Sequence, residues 1–274
     1  MKYRQLIDIL ERLAPVKLAE SWDNTGLSLG NLDNEVNRIM IALEPSEVVI
    51  KQAIEQKVDM ILTHHPMIFK PIKDISYDSL IGRKIINLAQ NNILTYSMHT
   101  NMDIAVMACE SAKMLELTEV IRLESVDAQN IGIGDRSIEC EQYGFGSVGI
   151  LEKDYKFKDY IDLVKDKLNI DFARTIGDDD AIIRKVAILP GSGKSFIKNA
   201  IKNNVDVLIT GDIDYHSAVD AYDMGLCIID AGHFETEYFF TDYMEKYLKE
   251  QFAKLNDESI AIVRAVEKSP IRVK

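Results

Sequence analysis

Three features of the 274-residue chain predict an α/β protein made of two related halves, with mixed sheets flanked by helices and a metal cleft between the halves. Short apolar runs alternate with stretches whose apolar residues recur at helical spacing, the signature of strand–helix–strand units. The segment 38–65 returns at 185–212, at a constant offset of 147 and with no gap, which reads as an internal duplication. The histidines fall in polar segments close behind apolar runs, and strand ends are where α/β sheets collect ligands. The halves are expected at about 1–125 and 126–274, with the chain able to cross over between them.

Composition narrows the function. The net charge of −12 argues against a duplex-DNA binder, which needs a basic face. An anionic substrate stays possible, because bound cations invert the local field. No apolar run approaches the roughly 20 residues of a bilayer span. The start, MKYRQLIDILERL, carries charges among helically spaced apolar residues and reads as an amphipathic surface helix, not a signal peptide. Cys109, Cys140 and Cys227 are scattered and odd in number, so they are expected to be reduced thiols of a cytoplasmic protein.

In chain order, Pro15 ends the first helix and Glu20–Leu27, with the sole tryptophan Trp22, reads as a polar loop. A strand at 39–43, a helix with Val49, Ile50, Ala53 and Ile54 on one face, and a strand at 60–62 follow. Pro66 ends that strand and presents His64 and His65 at its tip. A helix through Leu80–Leu88 and a strand at 93–97 lead into His99-Thr100-Asn101-Met102-Asp103.

The second copy repeats this order. Identities fall at Ile41/Ile188, Ile50/Ile197, Lys51/Lys198, Ala53/Ala200, Ile54/Ile201, Val58/Val205, Asp59/Asp206 and Thr63/Thr210. The matched apolar positions are those that pack a helix on a sheet. A helix through Ala218–Asp223 and a strand at 226–229 then run into Asp230–Glu237. Between the copies lie a glycine-rich strand, 143–150, and an amphipathic helix with Tyr160, Ile161, Val164 and Leu168. A long helix, about 238–255, and a strand at 260–263 close the chain.

Adjacent His64 and His65 can each serve a different ion where the chain turns. His233 and Glu237, four apart, share a helix face. Imidazole with carboxylate suits zinc, iron, manganese, cobalt or nickel. The competing reading of that pair is a capping histidine beside a surface glutamate. Asp103 reads first as a helix N-cap. Asp212 and His216 stand where the first copy has its histidine pair and are candidates to orient ligands or move protons, with a solvent-exposed histidine as the equal alternative; His99 is a further candidate to handle protons. Gly191-Ser192-Gly193-Lys194-Ser195 lacks the leading glycine of a Walker loop, since position 188 is Ile188, and reads as a strand-to-helix turn.

Ser-Trp-Asp-Asn-Thr-Gly-Leu (21–27), Thr-His-His-Pro (63–66), His-Thr-Asn-Met-Asp (99–103), Thr-Gly-Asp-Ile (210–213) with His216, and Gly-His-Phe-Glu-Thr-Glu (232–237) occur in this order. In them the chain resembles the NIF-three-like family of YbgI-type dinuclear metal proteins, often labelled type-two homologues of GTP cyclohydrolase I. The resemblance covers nearly the whole chain, in the short form without the extra mid-chain domain. It implies two divalent ions per subunit, with ligands at His64, His65, Asp103, His233 and Glu237 and a bridging carboxylate. It further implies a ring-shaped homohexamer with sites facing an inner cavity. The chain departs from the family where Glu44 stands in place of the expected aspartate. Two functions follow as expectations: a two-metal hydrolase, or a protein that stores or delivers metal to partners.

Overall fold

The structure is a computed structural model, described for residues 1–127, 143–257 and 259–273. Cys140 lies outside the described residues. Residues group into two compact units, one of 1–102 with 238–268, the other of 103–237 with 269–274.

The first unit opens with α1 (Tyr3–Leu13), which buries Leu6, Ile9, Leu10 and Leu13 as its helical spacing predicts. Its strands are β1 (Gly26–Leu29), β2 (Arg38–Ala42), β3 (Met60–Thr63) and β4 (Leu94–Ser97). Helices α2 (Glu47–Glu55) and α3 (Leu80–Gln90) connect the last three in right order for parallel pairing, and α4 (Thr100–Met102) follows β4. Ser46 and Ser79 cap α2 and α3, each accepting a backbone N–H of the first turn.

The second unit holds β5 (Thr118–Ser125), β6 (Gly144–Lys156), β7 (Arg174–Ile176), β8 (Ile182–Ser192), β9 (Val207–Gly211) and β10 (Cys227–Asp230). Its helices are α5 (Ala108–Met114), α6 (Phe157–Leu168), α7 (Ile197–Lys202), α8 (Tyr215–Asp223) and α9 (His233–Glu237). The chain then supplies the first unit with α10 (Phe239–Lys254) and β11 (Ala261–Arg264).

Both sheets are mixed. The first runs β1-β4-β3-β2-β11, with β1 antiparallel and the others parallel. The second runs β5-β6-β8-β9-β10-β7, parallel across β8, β9 and β10 and antiparallel at its flanks. Fully apolar runs such as Ile39–Ala42 and Val207–Ile209 are buried because helices cover both faces. In the first sheet Val49, Ile50, Ala53, Ile85 and Leu88 pack on Met40, Ala42 and Ile61. In the second, Ile197, Ala200 and Ala221 pack on Ala187, Leu208 and Ile228, while Phe157, Tyr160 and Val164 cover Val186, Ile188 and Ile229 on the other face.

The duplication is visible at atomic detail. Ile39 pairs with Met60, Met40 with Ile61 and Ile41 with Leu62; in the second copy Val186 pairs with Val207, Ala187 with Leu208 and Ile188 with Ile209. The offset of 147 maps one set of pairs onto the other. The shared aspartate does the same job in each copy. Asp59 Oδ2 accepts from the backbone N–H groups of Asn37 and Arg38, and Asp206 Oδ2 from those of Arg184 and Lys185.

Three differences from the sequence reading stand out. β1 begins inside the segment read as loop. As a short edge strand with Leu27 exposed, it carries little apolar signal. β5 and β7 were not expected, because charged residues interrupt the first and the second is three residues long. Cys109 is disulfide-bonded, which corrects the expectation of three reduced thiols, whereas Cys227 is free and buried. Scattered spacing cannot reveal a pairing made by the fold. Among the described residues no helix is long and apolar enough to cross a membrane.

Candidate metal centre

The first unit brings three histidines together. The parallel register puts Ala42, Thr63 and Ser97 side by side at the ends of β2, β3 and β4. Two residues further on stand Glu44, His65 and His99, one per strand, with the buried His64 beside them. Ligand nitrogens of His64, His65 and His99 lie within 4.8 Å of one another. The ring centroids of His64 and His65 are 4.8 Å apart, and each is 5.3 Å from that of His99.

Each imidazole is oriented through Nδ1. His64 Nδ1 is 2.7 Å from the Met98 carbonyl oxygen, which can only accept. His65 Nδ1 lies 2.5 Å from Glu44 Oε1, and His99 Nδ1 lies 2.9 Å from Asp23 Oδ1. An oxygen acceptor on Nδ1 fixes the tautomer with its proton there and turns Nε2 into the coordinating atom. The departure to glutamate at position 44 therefore keeps a carboxylate on His65.

Two residues that sequence reasoning gave no role complete this frame. The Asp23 side chain is fully buried. Burial raises its pKa, but hydrogen bonds donated by His99 and by the Thr100 hydroxyl and backbone outweigh that and hold it below the usual carboxylate range. Glu267, from the distant C-terminal segment, accepts from the backbone N–H groups of Leu43 at 2.7 Å and Glu44 at 3.0 Å. Burial pushes its pKa up, against those two donors. Only the fold could reveal Glu267, but His99 had a signal. It occupies the same position after its strand as His65 does after the neighbouring one.

The second unit places His233 and Glu237 on one face of α9, with His233 Nε2 3.1 Å from Glu237 Oε2. Asp212, at the place equivalent to His65, lies 2.7 Å from His233 Nδ1. The pattern of the first unit is repeated, with a carboxylate on Nδ1 and Nε2 turned to the donor group. Gly191 is needed here. Its φ is +73°, and a Cβ would sit 2.1 Å from Glu237 Oε1. Thr236 Oγ1 accepts from the Gly191 N–H and so holds this close approach.

Asp103 does not cap a helix. It opens a π-helical turn, Asp103–Met107, that runs into α5. Such wide turns are rare and gather at functional sites. His216 is exposed, with its ring against Tyr215, and belongs to neither histidine group. The 191–195 segment is the end of β8 and a short 3-10 turn, as expected from its failed Walker pattern.

The donors fit a borderline divalent cation, being imidazole nitrogens and carboxylate oxygens with each ring held from behind. Fold and donor set thus define an α/β protein with metal-competent histidines at its strand ends. The family model described as Duf34/NIF3 (NGG1p interacting factor 3) matches residues 1–270, and the chain belongs to that family. A Clostridium acetobutylicum protein called GTP cyclohydrolase 1 type 2 homolog is 36% identical over 274 residues, covering 100% of this chain and 99% of that one. Its Clostridium perfringens namesake is 37% identical over 271 residues, 98% of each. Among solved structures, a Bacillus cereus protein related to NIF3 matches with a TM-score of 0.90 at 25% identity, covering 100% of this chain and 99% of that one. Reduced HcgD from Methanocaldococcus jannaschii matches with a TM-score of 0.76 at 31% identity, covering 97% and 98%.

Proposed function

We propose that the protein binds two divalent metal ions per chain and is a metal-dependent hydrolase. His64 and His65 are the ligands from the first unit, and Asp103, His233 and Glu237 those from the second. One observation carries this reading: His64, His65 and His233 each have Nδ1 held by an oxygen acceptor, which readies Nε2 for a metal. When bound, such ions supply Lewis acidity toward an anionic or carbonyl oxygen and lower the pKa of water.

The chain's own residues orient and exclude. Met98, Glu44 and Asp212 fix the rings. Buried His64 and Glu237 keep bulk water from part of the donor set. Asp23 and His99 form a dyad that can hold a proton beside it. The reading takes the protein as a homohexamer, a point supported by the family resemblance alone.

Metal content per chain, measured on protein purified without chelators, tests the core of this. About two ions in the wild type should fall to one or none in His64→Ala and in His233→Ala, since each lost ligand weakens the set. Unchanged content in both variants sinks the ligand assignment. Hydrolysis is tested by loading Zn, Mn or Fe and offering phosphoesters and cyclic amides. Bound metal without turnover, but with transfer to an apo-acceptor, would make the protein a metal carrier instead.

A further inference from the structure

Trp22 is the sole tryptophan, and it is 57% exposed. Phe69, on the loop after His64-His65-Pro66, is 52% exposed. Large aromatic side chains normally bury most of their surface, so two adjacent ones left in water are unusual. The rings are not strays. Their centroids are 5.8 Å apart at 55°, an open corner, and each meets the His99 ring in a T-shaped arrangement, at 6.1 and 6.3 Å.

The loop that displays Trp22 is tightly tied. Asp23 accepts from His99, from the Thr100 N–H and from the Thr100 hydroxyl. Asn24 donates its side-chain amide to the Ile68 carbonyl at 2.6 Å, joining the Trp22 loop to the Phe69 loop. The Thr25 hydroxyl donates to the Ser97 carbonyl and accepts from the His99 N–H. Three successive polar side chains thus anchor the backbone to the loops around the histidines, while the aromatic side chain ahead of them points to solvent. Such a frame displays a ring; it does not bury one.

We propose that Trp22 and Phe69 are the specificity element of the site: they hold a flat heteroaromatic ring of a small-molecule substrate beside His99. This rests on the metal-site reading for its reactive end and adds the substrate class. A ring entering the corner stacks on one aromatic face and meets the edge of the other, a geometry that serves any π-face and leaves hydrogen-bonding atoms to the histidine side. A second copy of the chain covering the same pair is the rival occupant.

The test uses full-length protein whose metal content has been measured first. Guanosine, cytidine, pterin and nicotinamide are titrated by calorimetry, with ribose 5-phosphate as the ringless control. At least one heteroaromatic should bind saturably and ribose 5-phosphate should not match it. Trp22→Leu should weaken that binding about tenfold or more, the scale of one lost stacking contact, whereas Trp22→Phe should keep most of it. Phe69→Leu should weaken it as well, which guards against a folding defect confined to one variant. Absence of ring binding to metal-loaded wild type overturns the proposal, as does binding that Trp22→Leu leaves unchanged. Tryptophan emission that shifts with protein concentration and not with ligand would also overturn it, in favour of the second copy. Metal-free protein would defeat the metal reading alone, because ring binding is read separately in the same sample.

Discussion

At the scale of single residues, glycine positions separate backbone strain from site geometry. Gly191 and Gly225 have almost the same dihedral, φ +73° and +75°, but a Cβ on Gly191 meets the Glu237 carboxylate while one on Gly225 meets nothing within 4 Å. Alanine at either position costs about 1–2 kcal/mol for the left-handed backbone. Gly191→Ala must also displace Glu237, so it should lower metal affinity about tenfold or more, and Gly225→Ala should not. Thermal melts and metal titrations of the two variants check this; equal metal affinity would show that Glu237 is not a ligand. Ring orientation is the other residue-scale lever. Removing an acceptor from a ligating histidine typically lowers metal affinity 10–100-fold. Asp212→Ala should therefore reduce metal binding at His233 by that factor while the melt moves little, since the Asp212 side chain is 45% exposed.

At the scale of elements, the repeat makes a matched prediction. Asp59 accepts two backbone N–H groups at the start of β2, and Asp206 accepts two from the matching positions within β8. Asp59→Ala and Asp206→Ala should each cost about 1–3 kcal/mol, because donors lose their acceptor. Denaturant melts should give similar values for both. A large cost for one and none for the other would mean that the shared contacts do unequal work. The same register explains how the site was half-legible. Residues at the ends of adjacent parallel strands are neighbours, so His99 joins His64 and His65 although 34 positions separate it from His65. The π-helical turn at Asp103 shows the limit. An aspartate ahead of an apolar helical pattern looks like an N-cap, and nothing local reports that the turn widens.

At the scale of the whole molecule, burial of tyrosines sets a pH limit. Burial raises the Tyr3, Tyr96 and Tyr160 pKa values, helped by negative charge from Asp59 and Glu11 for the first two. In the unfolded chain these phenols ionise near pH 10. Above that the unfolded state holds fewer protons than the folded one, so stability falls as pH rises. Each of the three contributes a slope of about 1.4 kcal/mol per pH unit. Alkaline unfolding should start near pH 10, and Tyr96→Phe should soften the dependence. A melt temperature flat from pH 9 to 11.5 would contradict this.

The sequence by itself determined the α/β class, the order of most elements, the duplication and the chemical types of the candidate donors. Hydrophobic periodicity and strand-ending residues are local, and an equal spacing of 147 survives without any contact being known. Only the tertiary structure decided which side chains meet: His99 with the histidine pair, Glu44 and Asp23 behind their rings, and Glu267 from the far end of the chain on the Leu43 and Glu44 amides. Those meetings depend on strand register and on contacts across more than 200 positions, and a linear pattern carries no distance between segments that the fold later makes neighbours.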